Sequence, residues 1–188
     1  YHGPHLPLPR LTPTLPSPRM TTSPARRHRL RRLLREAKVD ALLVTNFINV
    51  TYLTGFTGDD SYLIVTPGGE TIVSDMRYTT QLAEQCPGLE VEVREAGERM
   101  LPVVARVVKR TRIERLGIEA ESAPVALERS LVEALPKVSL VATSNLVERL
   151  RIVKDKHEIE CTREACRQAE RAFEALRALV TRSMTEAD

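Results

Sequence analysis

Residues 41–78 read ALLVTNFINVTYLTGFTGDDSYLIVTPGGETIVSDMRY. The run Ala41-Leu42-Leu43-Val44 is apolar and short enough for a buried strand. Asn46, Asn49, Gly55 and Gly58 punctuate the next segment, which reads as a short helix or a loop. Tyr62–Thr66 and Thr71–Ser74 are strand-like and flank Pro67-Gly68-Gly69. Proline presets φ and glycine tolerates φ > 0, so this tripeptide predicts a tight turn and the two runs a β-hairpin. The stretch holds no histidine and no metal-ligand spacing.

Upstream lies a basic cluster, Arg26, Arg27, His28, Arg29, Arg31, Arg32 and Arg35. Leu30, Leu33, Leu34 and Ala37 recur through it at helical spacing. An amphipathic helix with a solvated arginine face explains the cluster better than a targeting segment or an anion-binding patch, the two competing readings. Ser23-Pro24 offers a cap and a first-turn proline. Residues 1–24 carry Pro4, Pro7, Pro9, Pro13, Pro16, Pro18 and Pro24 and no acidic residue, the composition of a disordered tail. The sequence becomes protein-like after Met20, so that methionine is the expected start and residues 1–19 an over-extended reading frame or a fragment edge.

Downstream, strands and helices alternate. Tyr78–Cys86 reads as a helix stopped by Pro87-Gly88. Leu89, Val91 and Val93 alternate with Glu90, Glu92 and Arg94 as in a half-buried strand. A helix over 98–109 has Val103, Val104, Val107 and Val108 on one side. A strand over 116–120 comes next, then a helix capped by Ser122, with Leu127, Leu131 and Leu135 on its apolar face. A strand over 138–142 and a short helix to Leu150 close the domain, which spans residues 25–150. The fold class is α/β: three layers, a mixed sheet with helices on both faces. Asp155 to about Arg182 is the longest helical pattern, with Ile159, Thr162, Cys166, Ala169, Phe173, Leu176 and Val180 on one stripe. Nothing in 151–188 offers that stripe a sheet, so it is an expected dimer contact or aggregation surface.

Composition excludes several classes. The net charge of +3 over 188 residues is too small to imply nucleic acid. No run approaches the roughly 18 to 20 apolar residues of a membrane span. Cys86, Cys161 and Cys166 lack C-x-x-C spacing and read as free thiols of a cytoplasmic protein. Neither a G-x-S-x-G, an H-E-x-x-H nor a phosphate-binding glycine loop is present. His157 beside Glu158 sits at a helix start, where a structural role outweighs a catalytic one.

Three segments resemble one family. Asn49-Val50-Thr51-Tyr52-Leu53-Thr54-Gly55-Phe56 is similar to the N-x-x-Y-L-T-G-F signature in the amino-terminal domain of the Xaa-Pro peptidases, the aminopeptidase P and prolidase enzymes. Creatinase shares that domain. Asp75-Met76-Arg77-Tyr78 resembles their D-G-R-Y step, with Met76 in place of glycine. Arg151-Ile152-Val153-Lys154-Asp155-Lys156-His157-Glu158-Ile159 resembles the entry to the catalytic domain. Beyond these three, Met184-Thr185-Glu186 resembles a later G-M-T-E step, with Ser183 in place of glycine.

The resemblance implies the creatinase-like three-layer domain, with residues 151–188 opening an incomplete metallopeptidase domain. It implies hydrolysis of bonds preceding proline in peptides, two divalent metal ions (manganese), and a homodimer without nucleic-acid or membrane partners. The family holds its metals with two Asp, a His and two Glu that match no residue here, so no catalytic, metal or cofactor residue is assigned and this chain alone is expected to be inactive. The domain reaches over an active site in the family. The loop Gly55, Phe56, Thr57, Gly58, Asp59, Asp60 and Ser61, together with Arg77, is therefore the candidate substrate-pocket or interface site. A salt bridge to Asp75 or a helix carboxylate is the competing use of Arg77. A non-catalytic binding or dimerisation module on this fold, and a creatinase-like amidinohydrolase fragment, are the alternatives.

Overall fold

Ala41–Val44 forms β1, and all four of its side chains are buried, as a short apolar run demands of a strand covered on both faces. The computed structural model describes residues 22–180 and 184–185. In chain order the elements are α1 (Thr22–Glu36), β1, α2 (Phe47–Thr54), β2 (Ser61–Val65), β3 (Glu70–Asp75), a 3₁₀ turn (Met76–Tyr78), α3 (Thr79–Gln85), β4 (Glu90–Arg94), α4 (Met100–Thr111), β5 (Arg115–Glu119), α5 (Val125–Ala134), β6 (Ser139–Thr143), α6 (Leu146–Ile152) and α7 (Lys156–Leu179). The described residues up to Val153 make one compact unit and those from Lys154 another.

The sheet has the order β4-β3-β2-β1-β5-β6. β2 pairs antiparallel with both β1 and β3, whereas β3·β4, β1·β5 and β5·β6 are parallel. It is the mixed sheet expected. Side-chain alternation sorts each strand between two cores. Leu42, Val44, Leu63, Val65 and Ile72 meet α1, α2, α3 and α6 on one face. Ala41, Leu43, Ile64, Val73 and Ile118 meet α4 and α5 on the other. Helices thus cover both faces and complete three layers.

Several local expectations shift. Neither Gly68 nor Gly69 takes a positive φ. The hairpin turn closes instead through the Thr66 N–H donating to the Gly69 carbonyl at 2.9 Å, with the Thr66 hydroxyl donating to the same oxygen. α1 begins at Thr22, so Ser23 and Pro24 lie in its first turn instead of in the tail. The remaining tail readings, residues 1–21 with Met20, fall outside the described residues. The cap of α5 is Pro124, two residues later than Ser122, because the Ser122 and Ala123 N–H groups first close a turn on the Glu119 carbonyl. Asn145, in the left-handed region, and not Thr143 or Ser144, precedes α6.

The arginines of α1 are less solvated than the amphipathic pattern predicts. Arg27 and Arg31 both pair with Glu70 at the start of β3, at 3.1 and 2.6 Å. Arg26 lies 4.1 Å from the centroid of the Tyr52 ring, and Arg26 and Arg27 donate to the carbonyls of Tyr52 and Leu53. Those carbonyls belong to the last turn of α2, where a guanidinium satisfies acceptors that lack helical partners.

In the second unit, α7 starts with a capping box. Asp155 accepts the Glu158 N–H, and the Glu158 carboxylate accepts the Asp155 N–H. Phe173, Leu176 and Val180 on its predicted stripe are each more than half exposed.

Gly58 is set by packing and not by backbone freedom. A Cβ there would sit 2.4 and 2.7 Å from ring carbons of Phe56 and 3.0 Å from Tyr78. Gly58→Ala is therefore expected to destabilise the domain by about 1 to 3 kcal/mol, the usual cost of overpacking. In a Phe56→Leu background, which removes the clashing ring, the same substitution should cost less than half as much. Urea denaturation of the four proteins measures the cycle, and equal costs in both backgrounds would refute the clash.

Candidate functional site

The loop between α2 and β2 begins at Gly55, whose φ of 84° ends the helix as its N–H donates back to the Thr51 carbonyl at 2.8 Å. Phe56 then turns inward. Its side chain is fully buried, and its ring meets Tyr78 edge-on at 5.5 Å and 88°. Thr57 is exposed and tied to α3: its N–H donates to the Gln85 side chain at 3.0 Å, and its hydroxyl accepts from Gln81 and Gln85. Asp59 accepts a hydrogen bond from the Tyr78 hydroxyl. Ser61 is buried at the start of β2. The predicted loop therefore divides. Phe56 and Ser61 are core, Gly55 ends α2, Gly58 makes room for the Phe56 and Tyr78 rings, and Thr57, Asp59 and Asp60 carry the accessible chemistry.

Asp60 and Arg77 meet in a cluster of ion pairs. Arg77 donates from both its backbone N–H and Nε to Asp75 Oδ1, at 2.9 and 2.7 Å, so the competing salt-bridge reading of this arginine is realised. Its Nη2 reaches Asp60 at 3.2 Å while two-thirds of the side chain stays in solvent. Arg94 completes the group. Its Nη2 lies between Asp60 Oδ2 at 2.7 Å and Asp75 Oδ2 at 2.6 Å, and its Nη1 donates to the Glu98 carbonyl. Sequence reading placed Arg94 only as a polar position in an alternating strand. Its signal is the parallel β3·β4 register, which sets Arg94 opposite Asp75.

The cluster is an array of paired charges at one end of β3 and β4. It can orient a polar ligand or fix the loop. It does not fit a dinuclear metal centre, because Asp59, Asp60 and Asp75 already accept from arginine or tyrosine donors. Among the described residues, no group of three or more His, Cys, Asp and Glu side chains is placed to hold a metal ion.

A second network went unread in the sequence. Asn49, the first residue of the N-x-x-Y-L-T-G-F segment, is fully buried. Its Nδ2 donates to Glu119 at 2.7 Å and Glu148 at 2.6 Å, and its Oδ1 accepts from Arg151 at 2.9 Å. Glu119 also accepts from the backbone N–H groups of Thr45 and Asn46 at 2.7 and 2.9 Å. Tyr52, one helical turn along, donates its hydroxyl to the Leu150 carbonyl at 3.1 Å. Two segments separated by about a hundred positions are thus one hydrogen-bonded assembly.

Residues 26–153 match the model of the creatinase/prolidase N-terminal domain. The chain belongs to that family. Among curated relatives, the uncharacterized peptidase YqhT of Bacillus subtilis is 32% identical over 145 residues, which is 77% of this chain and 40% of YqhT. A Xaa-Pro dipeptidase from Bacillus anthracis superposes with a TM-score of 0.81 and 28% identity, over 88% of this chain and 46% of that one. The N-terminal domain of the cytoplasmic peptidase PepQ from Mycobacterium tuberculosis superposes with a TM-score of 0.62 and 33% identity, over 67% of this chain and 98% of that one. The chain spans less than half the length of the curated relatives it matches. No described helix is long and apolar enough to cross a membrane.

In this creatinase/prolidase domain the cluster has a pH signature. The backbone N–H and side chain of Arg77 hold the Asp75 carboxyl below its ordinary value of 3.8, and the Tyr78 hydroxyl does the same for Asp59. A depressed carboxyl stabilises the fold at pH values above the ordinary value, and that stability is lost as pH falls through the depressed one. Urea midpoints of the wild type should therefore drop as pH falls below about 4. Asp75→Asn should be less stable at pH 7 and show a flatter decline over that window. An unchanged slope would show that Asp75 is not depressed.

The Asn49 network makes a separate prediction. Asn49→Leu is close in volume but removes a hydrogen-bond partner from Glu119 and from Arg151 inside the protein. A loss of about 2 to 3 kcal/mol in urea denaturation is expected, since these hydrogen bonds involve charged groups.

Proposed function

We propose that this chain is the N-terminal, substrate-access and oligomerisation portion of a dinuclear-metal Xaa-Pro aminopeptidase or dipeptidase, a hydrolase of peptide bonds that precede proline. The observation that carries this reading is the superposition of 88% of the chain on the Bacillus anthracis Xaa-Pro dipeptidase. The metal ions, manganese in this proposal, and the residues that activate water belong to the longer protein. This chain's share is the exposed edge formed by Thr57, Asp59, Asp60 and Arg77, which would line or close the route to the peptide. The whole protein is a cytoplasmic homodimer in this reading, acting on proline-containing peptides and on neither nucleic acid nor membrane. The description of the PepQ relative as a cytoplasmic peptidase supports that placement.

The test is to express the longest natural form of the protein with Mn²⁺ and assay Xaa-Pro dipeptides and Xaa-Pro-Yaa tripeptides. Hydrolysis is expected from that form and not from residues 1–188 alone. Asp60→Ala should lower kcat/KM roughly tenfold or more if the loop positions the peptide. An unchanged kcat/KM would confine the cluster to holding the loop. A full-length protein that cleaves no Xaa-Pro bond would overturn the peptidase reading. Activity on creatine would then identify an amidinohydrolase, and binding without turnover a non-catalytic module.

A further inference from the structure

The two outer strands of the sheet, β4 and β6, differ in how they meet solvent. β4 reads Glu90-Val91-Glu92-Val93-Arg94, and Arg110 from α4 pairs with both of its glutamates. Charges on an edge of this kind discourage pairing with another chain. β6 reads Ser139-Leu140-Val141-Ala142-Thr143, without a charge, a proline or a glycine. No described strand pairs with its outer side.

The hydrogen bonds to β5 reveal which backbone groups of β6 face outward. The Ser139 N–H donates to the Glu114 carbonyl at 2.7 Å, and the Thr143 carbonyl accepts from the Ala120 N–H at 3.0 Å. In a parallel pair, alternate residues turn both backbone groups to the same neighbour. Ser139, Val141 and Thr143 therefore address β5, and Leu140 and Ala142 present their N–H and C=O groups to the outside. Two outward-facing positions on this five-residue strand allow four backbone hydrogen bonds across a two-fold antiparallel junction.

We infer that β6 is a homodimer edge, pairing antiparallel with β6 of a second copy about a two-fold axis at Val141. This rests on the homodimer reading above and supplies its surface. The register is set by the outward groups. Leu140 of one copy and Ala142 of the other exchange both backbone hydrogen bonds, twice over by symmetry, and Val141 faces its own counterpart. Ser139 then lies opposite Thr143, Val138 opposite Ser144, and Lys137 opposite Asn145, with no like charges opposed. The same operation on β4 would set Glu92 against Glu92, a repulsive pair. Self-complementarity favours a second copy over a foreign peptide. α5, which packs on β6, carries exposed Val125 and Val132 one heptad apart. The junction joins two six-stranded sheets into one of twelve.

The test uses residues 1–188. Sedimentation analysis across concentration should show a monomer–dimer equilibrium. Leu140→Pro deletes an outward N–H and leaves the bonds to β5 in place, so it should weaken dimerisation at least tenfold while circular dichroism stays unchanged. Should that variant misfold, the exposed Ala142→Lys substitution serves the same purpose with the backbone intact. Register is read by cross-linking in a Cys161→Ser, Cys166→Ser background. Val141→Cys should form an intermolecular disulfide on mild oxidation, because facing residues of a non-hydrogen-bonded pair lie within disulfide reach. Ser139→Cys should not. A dimer insensitive to both β6 variants would overturn the inference and move the contact elsewhere, to the apolar stripe of α7 for example, with the homodimer reading intact. A strict monomer at every concentration would overturn the inference, whereas the homodimer reading falls only if the full-length protein also sediments as a monomer.

Discussion

Glu119 places a carboxylate in the protein at the end of β5, and much of one side of the domain is arranged to answer it. An isolated charge out of water is costly unless donors surround it. Here they come from the backbone of Thr45 and Asn46, where β1 hands over to α2, and from the buried amide of Asn49. Asn49 in turn engages Glu148 and Arg151 of α6. One buried acid therefore links the middle of the sheet to the last helix of the domain. The entry of α2 is held in the same way, since a carboxylate at the first N–H groups of a helix is favoured by unsatisfied donors and by the helix dipole.

The layers of the fold were legible because they rest on periodicity. Alternation in β1, β2 and β3 and the valine face of α4 divide between the two cores as hydrophobic patterning requires. Boundaries moved by a residue or two where local hydrogen bonds compete, as at Glu119–Ala123 ahead of α5. The charged contacts were not legible, and the reason is physical. Arg94 finds Asp75 only once the parallel register of β3 and β4 exists, and Arg27 and Arg31 find Glu70 only when α1 lies on the hairpin. Pattern reports which face of an element is apolar. It is silent about which of many arginines meets which carboxylate.

The candidate loop shows the same division. Its motif residues looked alike in sequence, yet their duties differ: Phe56 fills the core, Gly58 makes room for it, and Asp60 belongs to an ion cluster. A segment can therefore mark a family mainly because it packs. Asn49, Tyr52 and Phe56 each spend their side chains on the interior or on α6, leaving Thr57, Asp59, Asp60 and Arg77 as the part of the region that meets solvent.

The placement of the three cysteines gives the chain an uneven chemical sensitivity. Cys86 sits at the end of α3, buried, with its thiol directed to the Thr54 carbonyl, and burial pushes its pKa up. A thiol is nucleophilic only as thiolate, so Cys86 is shielded twice, by access and by protonation. Cys161 and Cys166 stand on α7, one half-buried and one exposed. Thiol-directed reagents will therefore mark the helix first and leave Cys86 unmodified while the sheet domain stays folded. Modification of Cys86 becomes a measure of how often the domain opens.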